Sequence, residues 1–295
     1  YDNAGTYPVE LTVIANDGSV LVNSDEVTIN AGLTLLSVAA GSAVNMPRGF
    51  AVVGDVVWSA GDVQSIATAN VGDVMAPAVS NSASLYGAPW HLDANESVVA
   101  VAAAWNGLYL FDATRPNYLW PMGHLDTYAL DGSYTYQVAI QGDYVFAACD
   151  DAMKVIDISD PAHPVQVGAW ESDGVIGQVD LIGDRAYVYD AILGGYHILD
   201  VSSPTSPVEV ASFATRDTPT DTAVEGNLLA VAVGREGVQF FDITDIDAPV
   251  ELSYRDYTGE GAMGVALHGT HAYVANGSRI DDLNIADPAN PWLIQ

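Results

Sequence analysis

Between residues 136 and 172 apolar and polar side chains alternate in short runs, cut at regular points by glycine, aspartate and proline. The period of two, with its wealth of Val, Ile, Tyr and Phe, predicts strands over 136–140, 144–148, 153–159 and 165–171. Gln141-Gly142-Asp143 reads as a hairpin turn, 149–152 as a loop and 160–164 as a second turn. The same layout recurs along the chain. The first turn returns as Gly54-Asp55, Gly183-Asp184, Gly226-Asn227 and Gly269-Thr270, where glycine supplies the positive φ of a tight hairpin. The prolines of the second turn lack an N–H and fix φ, which ends the third strand.

The third strand runs into a repeated phrase. It reads Val-Ile-Asp-Ile-Ser-Asp-Pro-Ala-His-Pro-Val at 155–165, with close copies at 198–208 and 240–250 and looser ones at 110–116 and 283–291. Its anchors are Asp112, Asp157, Asp200, Asp242 and Asn284, separated by 45, 43, 42 and 42 residues. The anchor carboxylates are expected to cap nearby backbone N–H groups. A degenerate sixth unit precedes these, with 50–58 matching the first hairpin and Ala67 at the anchor column. A period of 40–45 residues made of short strands predicts an all-β fold, a β-propeller of four-stranded blades. Six blades are expected; the alternative is a truncated chain whose full protein has a seventh. The chain stops just inside a fourth strand, and 33–39 resembles a fourth strand ahead of the first unit. The two ends are therefore expected to close one blade together, which removes exposed edges.

The Leu/Val-Ile-Val-Asp-Val-Ser-Asp-Pro pattern resembles the LVIVD-repeat propellers over about residues 42–295, most specifically in the units anchored at Asp157, Asp200 and Asp242. The resemblance implies a secreted or surface-anchored prokaryotic protein and no defined catalytic residues. The first two units depart from the pattern, at Ala67 and at 117–120. Residues 1–31 are different. Tyr1-Asp2-Asn3-Ala4-Gly5-Thr6-Tyr7-Pro8-Val9-Glu10-Leu11-Thr12-Val13, followed by Ala15-Asn16-Asp17-Gly18, is similar to the end of a PKD (Ig-like) domain. Its last two strands are expected at about 6–14 and 20–29. This divides the chain into 1–31 and a propeller over 32–295. It implies a processed product or a fragment of a longer surface protein, the alternative being a chain cut at a convenient boundary.

Charge narrows the partners. The chain has 38 acidic and 8 basic residues, a net charge of −30, and Lys154 is its one lysine. Nucleic acid is excluded as a partner, because phosphate contact needs Lys and Arg. Self-repulsion on this scale calls for salt, cations or a basic partner. No run of about 20 apolar residues spans a membrane. Cys149 is the sole cysteine, so no internal disulfide forms; a buried, unreactive thiol is expected beside Asp150 and Asp151.

Catalytic signatures are missing: there is no Gly-x-Ser-x-Gly, no His-Glu-x-x-His, no phosphate loop and no Cys-x-x-Cys-His. No cofactor is implied apart from calcium, whose hard oxygen ligands would come from Asp245 and Asp247. His268 and His271 flank a turn and are a weaker metal pair. Asn95 and Asn276 head glycosylation sequons. In a four-stranded blade, the start of strand one and the loop between strands two and three share the face around the channel mouth. That face is expected to carry Arg48, Trp90, His91, Trp105, Tyr136, Gln137, Gln178, Asp221, Arg235 and Arg279, which differ from unit to unit. Variable aromatic, amide and Arg groups at one opening fit a binding surface. The leading expectation is a non-enzymatic extracellular propeller that recognises a surface protein or glycan, or that self-assembles. One alternative is a polysaccharide hydrolase or lyase pairing His91 with Asp221. The other is a subunit of a filament or surface layer, in which residues 1–31 add strands to a neighbour.

Overall fold

The computed structural model describes residues 5–14, 20–29, 47–61, 65–71, 78–126, 129–192, 194–257, 261–276 and 279–294, with side chains from residue 49 on apart from 78 and 79. Its secondary structure is all β, in six four-stranded antiparallel sheets arranged as a β-propeller, plus a separate two-stranded hairpin. The hairpin pairs Gly5–Ile14 with Val20–Ile29.

Each blade takes four consecutive strands, each paired with the next. Blade 1 begins at Pro47–Val53 and ends at Ala78–Ser84; blade 2 runs from His91–Ala94 to Gly123–Leu125. Blade 3 comprises Thr135–Gln141, Tyr144–Cys149, Ala152–Asp157 and Val165–Glu171, close to the strands expected from alternation. Blades 4, 5 and 6 begin at Ile176–Ile182, Asp221–Glu225 and Ala262–His268. Blade 6 ends on its own fourth strand, Trp292–Leu293. The chain ends just inside a fourth strand, as expected, and residues 33–39, expected to share a blade with it, lie outside the described residues.

The core is divided into slices between blades. Blades 1 and 2 enclose Trp58, Leu92 and Phe111, and blades 4 and 5 enclose Tyr187, Tyr196 and Phe241. Both faces of the middle strands are therefore covered, which explains why Val98–Ala102 is buried at every position. The first-turn glycines at 54, 142, 183, 226 and 269 have φ between 56° and 59°, as a hairpin turn requires.

The anchor column does what its chemistry suggests. Asp112, Asp157, Asp200, Asp242 and Asn284 each accept, through Oδ1, the backbone N–H two residues ahead at 2.7–3.1 Å. These Asx turns end the third strand and start the connection to the fourth. The carboxyls of Asp157, Asp200 and Asp242 lie below the usual carboxylate range, chiefly because of side-chain hydrogen bonds from Ser159, Ser202 and Thr244 and then because of these backbone N–H groups.

Candidate functional site: the channel mouth

A repeated irregularity builds the mouth. Where the first strand begins, its pairing with the second skips one residue, at Arg48 in blade 1, Tyr136 in blade 3, Gly177 in blade 4 and Met263 in blade 6. Blades 2 and 5 do the same: Trp90 and Thr220 donate their N–H to the carbonyls of Ala102 and Ala232, residues already paired with His91 and Asp221. A bulge turns the extra side chain out of the ladder. The side chains of 90, 136, 220 and 263 therefore stand at the rim, while those of His91, Gln137 and Asp221 reach the neighbouring blade.

Between blades 2 and 3 the rim is aromatic. The rings of Trp90 and Tyr136 lie 5.5 Å apart at 59°. Ala104 and Thr135 bridge the two blades through paired backbone bonds of 3.1 and 3.2 Å, which brings Trp105 and Tyr134 alongside. Trp90, Trp105 and Tyr134 are 38–46% exposed. Gly107 closes the loop that carries Trp105. Its φ is 75°, and a Cβ there would meet the Leu125 carbonyl at 2.2 Å, so only glycine fits.

The aromatic group is held from below. Tyr136 donates its hydroxyl to Asp150 Oδ1, and Asp150 Oδ2 accepts the Tyr134 N–H at 3.0 Å. Ser133 donates to Asp151 at 2.7 Å. Lys154, 2% exposed, donates to the Leu130 carbonyl at 2.7 Å and to Ser133 Oγ at 3.1 Å. Its ammonium is also 3.6 Å from Asp131 and from Asp151. The one lysine is thus a buried fastener for the loop leading into Tyr134. Burial, followed by the bond to Asp150, raises the Tyr136 hydroxyl well above its ordinary value, so the negative charge of the pair sits on the carboxylate.

The residues one place further in are mostly latches between blades. Gln137 Oε1 accepts the Val179 N–H of blade 4 at 2.9 Å, and Asp221 Oδ2 accepts the Val265 N–H of blade 6 at 2.9 Å. Asp93 Oδ2 accepts the Ile140 N–H at 2.7 Å. His91 bonds the Val138 backbone of blade 3, and burial lowers its pKa to about 4; its Nδ1 is buried with no hydrogen-bond partner among the described residues. Gln178 is buried, donates to Asp180 at 2.9 Å and accepts from Tyr196 at 3.2 Å. Asp180, also bonded by Thr222, is pushed up to about 7, by burial first and then by the charges of Asp221 and Asp93. Burial likewise raises Asp93 and Asp221. Sequence reading missed Asp93 and Asp180 as members of this network, since their partners come from other blades.

The other expected residues are dispersed. Arg235 is exposed on the blade 5 loop. Arg279 bonds Asp281 at 2.7 Å on blade 6, and the side chain of Arg48 lies outside the described residues. Asp247 is clasped by Arg185 at 2.5 and 3.1 Å, and Asp245 accepts the Asp247 N–H at 3.2 Å. Among the described residues no three His, Cys, Asp or Glu side chains gather as metal ligands. His271 pairs with Asp282 at 2.9 Å. Asn95 accepts the N–H groups of Ser97 and Val98, and Asn276 is buried and donates to Asp281 at 2.8 Å. Cys149 is buried, and its thiol is pushed up to about 12, chiefly by burial. No described helix is long and apolar enough to cross a membrane.

Fold and mouth together define the class: a six-bladed β-propeller with a polar, latched channel and an aromatic rim. The chain carries LVIVD repeats, matched at residues 132–171, 173–215 and 259–295. The unit anchored at Asn284 is among them and the one anchored at Asp242 is not, which corrects the expected ranking. In the latter, Ile246 replaces the first proline of the phrase. No curated protein matches the chain. Among solved structures, a Lactobacillus plantarum protein is 14% identical, with a TM-score of 0.73 over 97% of this chain and 90% of its own. A putative 6-phosphogluconolactonase from Bacteroides fragilis is 15% identical, with a TM-score of 0.72 over 94% and 86%. The Cps50 (Swd1) β-propeller domain of Myceliophteria thermophila is 13% identical, with a TM-score of 0.66 over 81% and 83%. At such identities the likeness is one of fold.

Proposed function

We propose that this propeller is a non-catalytic recognition module of an extracellular or cell-surface protein, and that it binds its partner at the mouth of blades 2 and 3. The observation that carries this reading is the aromatic group at the rim: Trp90, Trp105 and Tyr134 are exposed, Trp90 packs on the half-buried Tyr136, and Tyr134 and Tyr136 are tied to Asp150. Rigid aromatic anchors beside a polar group are what binding surfaces concentrate. The acidity of the chain and the habit of LVIVD proteins support an extracellular setting. A hydrolase or lyase using His91 and Asp221 is the weaker reading. They stand on blades 2 and 5, half a ring apart, and each is tied to its neighbouring blade.

The test is a binding panel of short charged peptides and of neutral and acidic oligosaccharides on the immobilised full chain. Trp90→Ala and Tyr136→Ala should weaken the ligand that binds by about tenfold or more, with the unfolding midpoint within a few degrees of the parent. Arg235→Ala reports whether the site reaches blade 5. Binding untouched by all three substitutions would discard this face.

A further inference from the structure

We propose that the group captured at this mouth is a cation, the lysine or arginine side chain of a basic peptide segment. This rests on the mouth of blades 2 and 3 being the binding site. The chemistry there is one-sided. Aromatic faces attract a cation through their quadrupole, and the polar group among them is the Asp150 carboxylate. That carboxylate has about four acceptor positions and receives two neutral donors, Tyr134 N–H and the Tyr136 hydroxyl. The remaining lone pairs suit an ammonium or guanidinium. The chain's own lysine does not compete for the rim, because it is buried beneath the loop and turned to Leu130 and Ser133.

An occupied version of the arrangement exists elsewhere in the molecule. The Arg216 guanidinium lies 4.3 Å over the Tyr254 ring and pairs with Glu251 at 2.9 Å. An aromatic face plus one carboxylate is therefore a combination this protein already fills with a cation. Charge complementarity gives the partner its sign: a net charge of −30 draws basic segments in and repels acidic ones. The exposed carboxylates of Asp131 and Asp151 extend that field around the rim.

The experiment titrates the full chain, in low and physiological salt, with a (Lys-Ser)5 peptide, with the same peptide acetylated on every lysine, and with cellohexaose as a neutral saccharide. Tryptophan fluorescence and calorimetry report binding. The cationic peptide should bind, the acetylated one should bind at least about tenfold more weakly, and Trp90→Ala or Asp150→Asn should each cost about fivefold or more. Trp90→Ala leaves the net charge unchanged, so its loss reports the site rather than bulk attraction; Trp105→Ala supplies a second variant should the first disturb folding. Equal binding of the cationic peptide to parent and both Trp variants overturns the proposal, as does equal binding of the acetylated peptide. If cellohexaose binds and loses affinity in Trp90→Ala while the peptide does not, the cation is wrong and the site stands. If no probe responds to either Trp variant, the site fails with it.

Discussion

Replacing Asp180 by asparagine should stabilise the propeller, and more so as the pH rises. Asp180 lies on the first strand of blade 4, bonded by Gln178 and Thr222 and within the fields of Asp221 and Asp93. Its carboxyl titrates near 7 in the folded chain against an ordinary 3.8. The folded state therefore holds a proton that the unfolded chain releases. The resulting stabilisation is complete below about pH 4 and is lost as the pH climbs through 7. A displacement of about three units corresponds to roughly 4 kcal/mol. Asp180 keeps some accessible surface in the channel, and water there reduces the figure to about 2 kcal/mol.

Asparagine preserves the shape, can accept from Gln178 through its oxygen and donate its NH2 to the Thr222 hydroxyl, and carries no charge to desolvate. Urea unfolding followed by tryptophan fluorescence, at one-unit steps from pH 4 to 8 and constant ionic strength, reads the effect. The variant and parent should coincide near pH 4 and separate by about 2 kcal/mol at pH 8. A difference independent of pH, or a less stable variant at pH 8, would refute the argument that buried carboxylates strain this channel.

His91→Gln should act in the opposite sense. The folded imidazole titrates near 4 against an ordinary 6.5, so the parent loses stability as the pH falls from 6.5 to 4, and in the same unfolding series the variant should gain on it by up to about 3 kcal/mol over that interval. Lys154→Met should lower stability by about 1–2 kcal/mol, because it removes a buried donor from the Leu130 carbonyl and the Ser133 hydroxyl, which keep the Ser133 N–H and Asp151 as partners, while the exposed partners Asp131 and Asp151 add little. A urea midpoint unchanged by Lys154→Met would show that the loop before Tyr134 is held by other bonds.

The ring was readable from residues alone because its signals are local. Turn glycines, prolines after the third strand and the anchor Asp residues act within two or three positions of themselves, so a single unit displays them. Their carboxylates were expected as backbone caps and are found as such. The mouth was legible only by position. Reading the starts of the first strands grouped Trp90, Tyr136, Gln137 and Asp221 at one end of the blades, but gave no sign of the bulge that separates them. Trp90 and Tyr136 turn to the rim, whereas Gln137 and Asp221 bind the next blade's backbone about 42–44 residues away. Such pairings depend on how blades pack, and alternation within one strand carries no trace of it. The carboxylates at 245 and 247 looked like cation ligands by spacing; Arg185, 62 residues earlier than Asp247, answers one of them.

The buried fastener at position 154 also decides how the surface meets amine chemistry. With one lysine in the sequence, held at 2% exposure, the folded propeller offers an acylating reagent no side-chain amine. Modification at that site requires blade 3 to part from the loop that covers it. The position is therefore a clock built into the chain, whose labelling rate counts openings beneath the aromatic rim and leaves the rest of the ring silent.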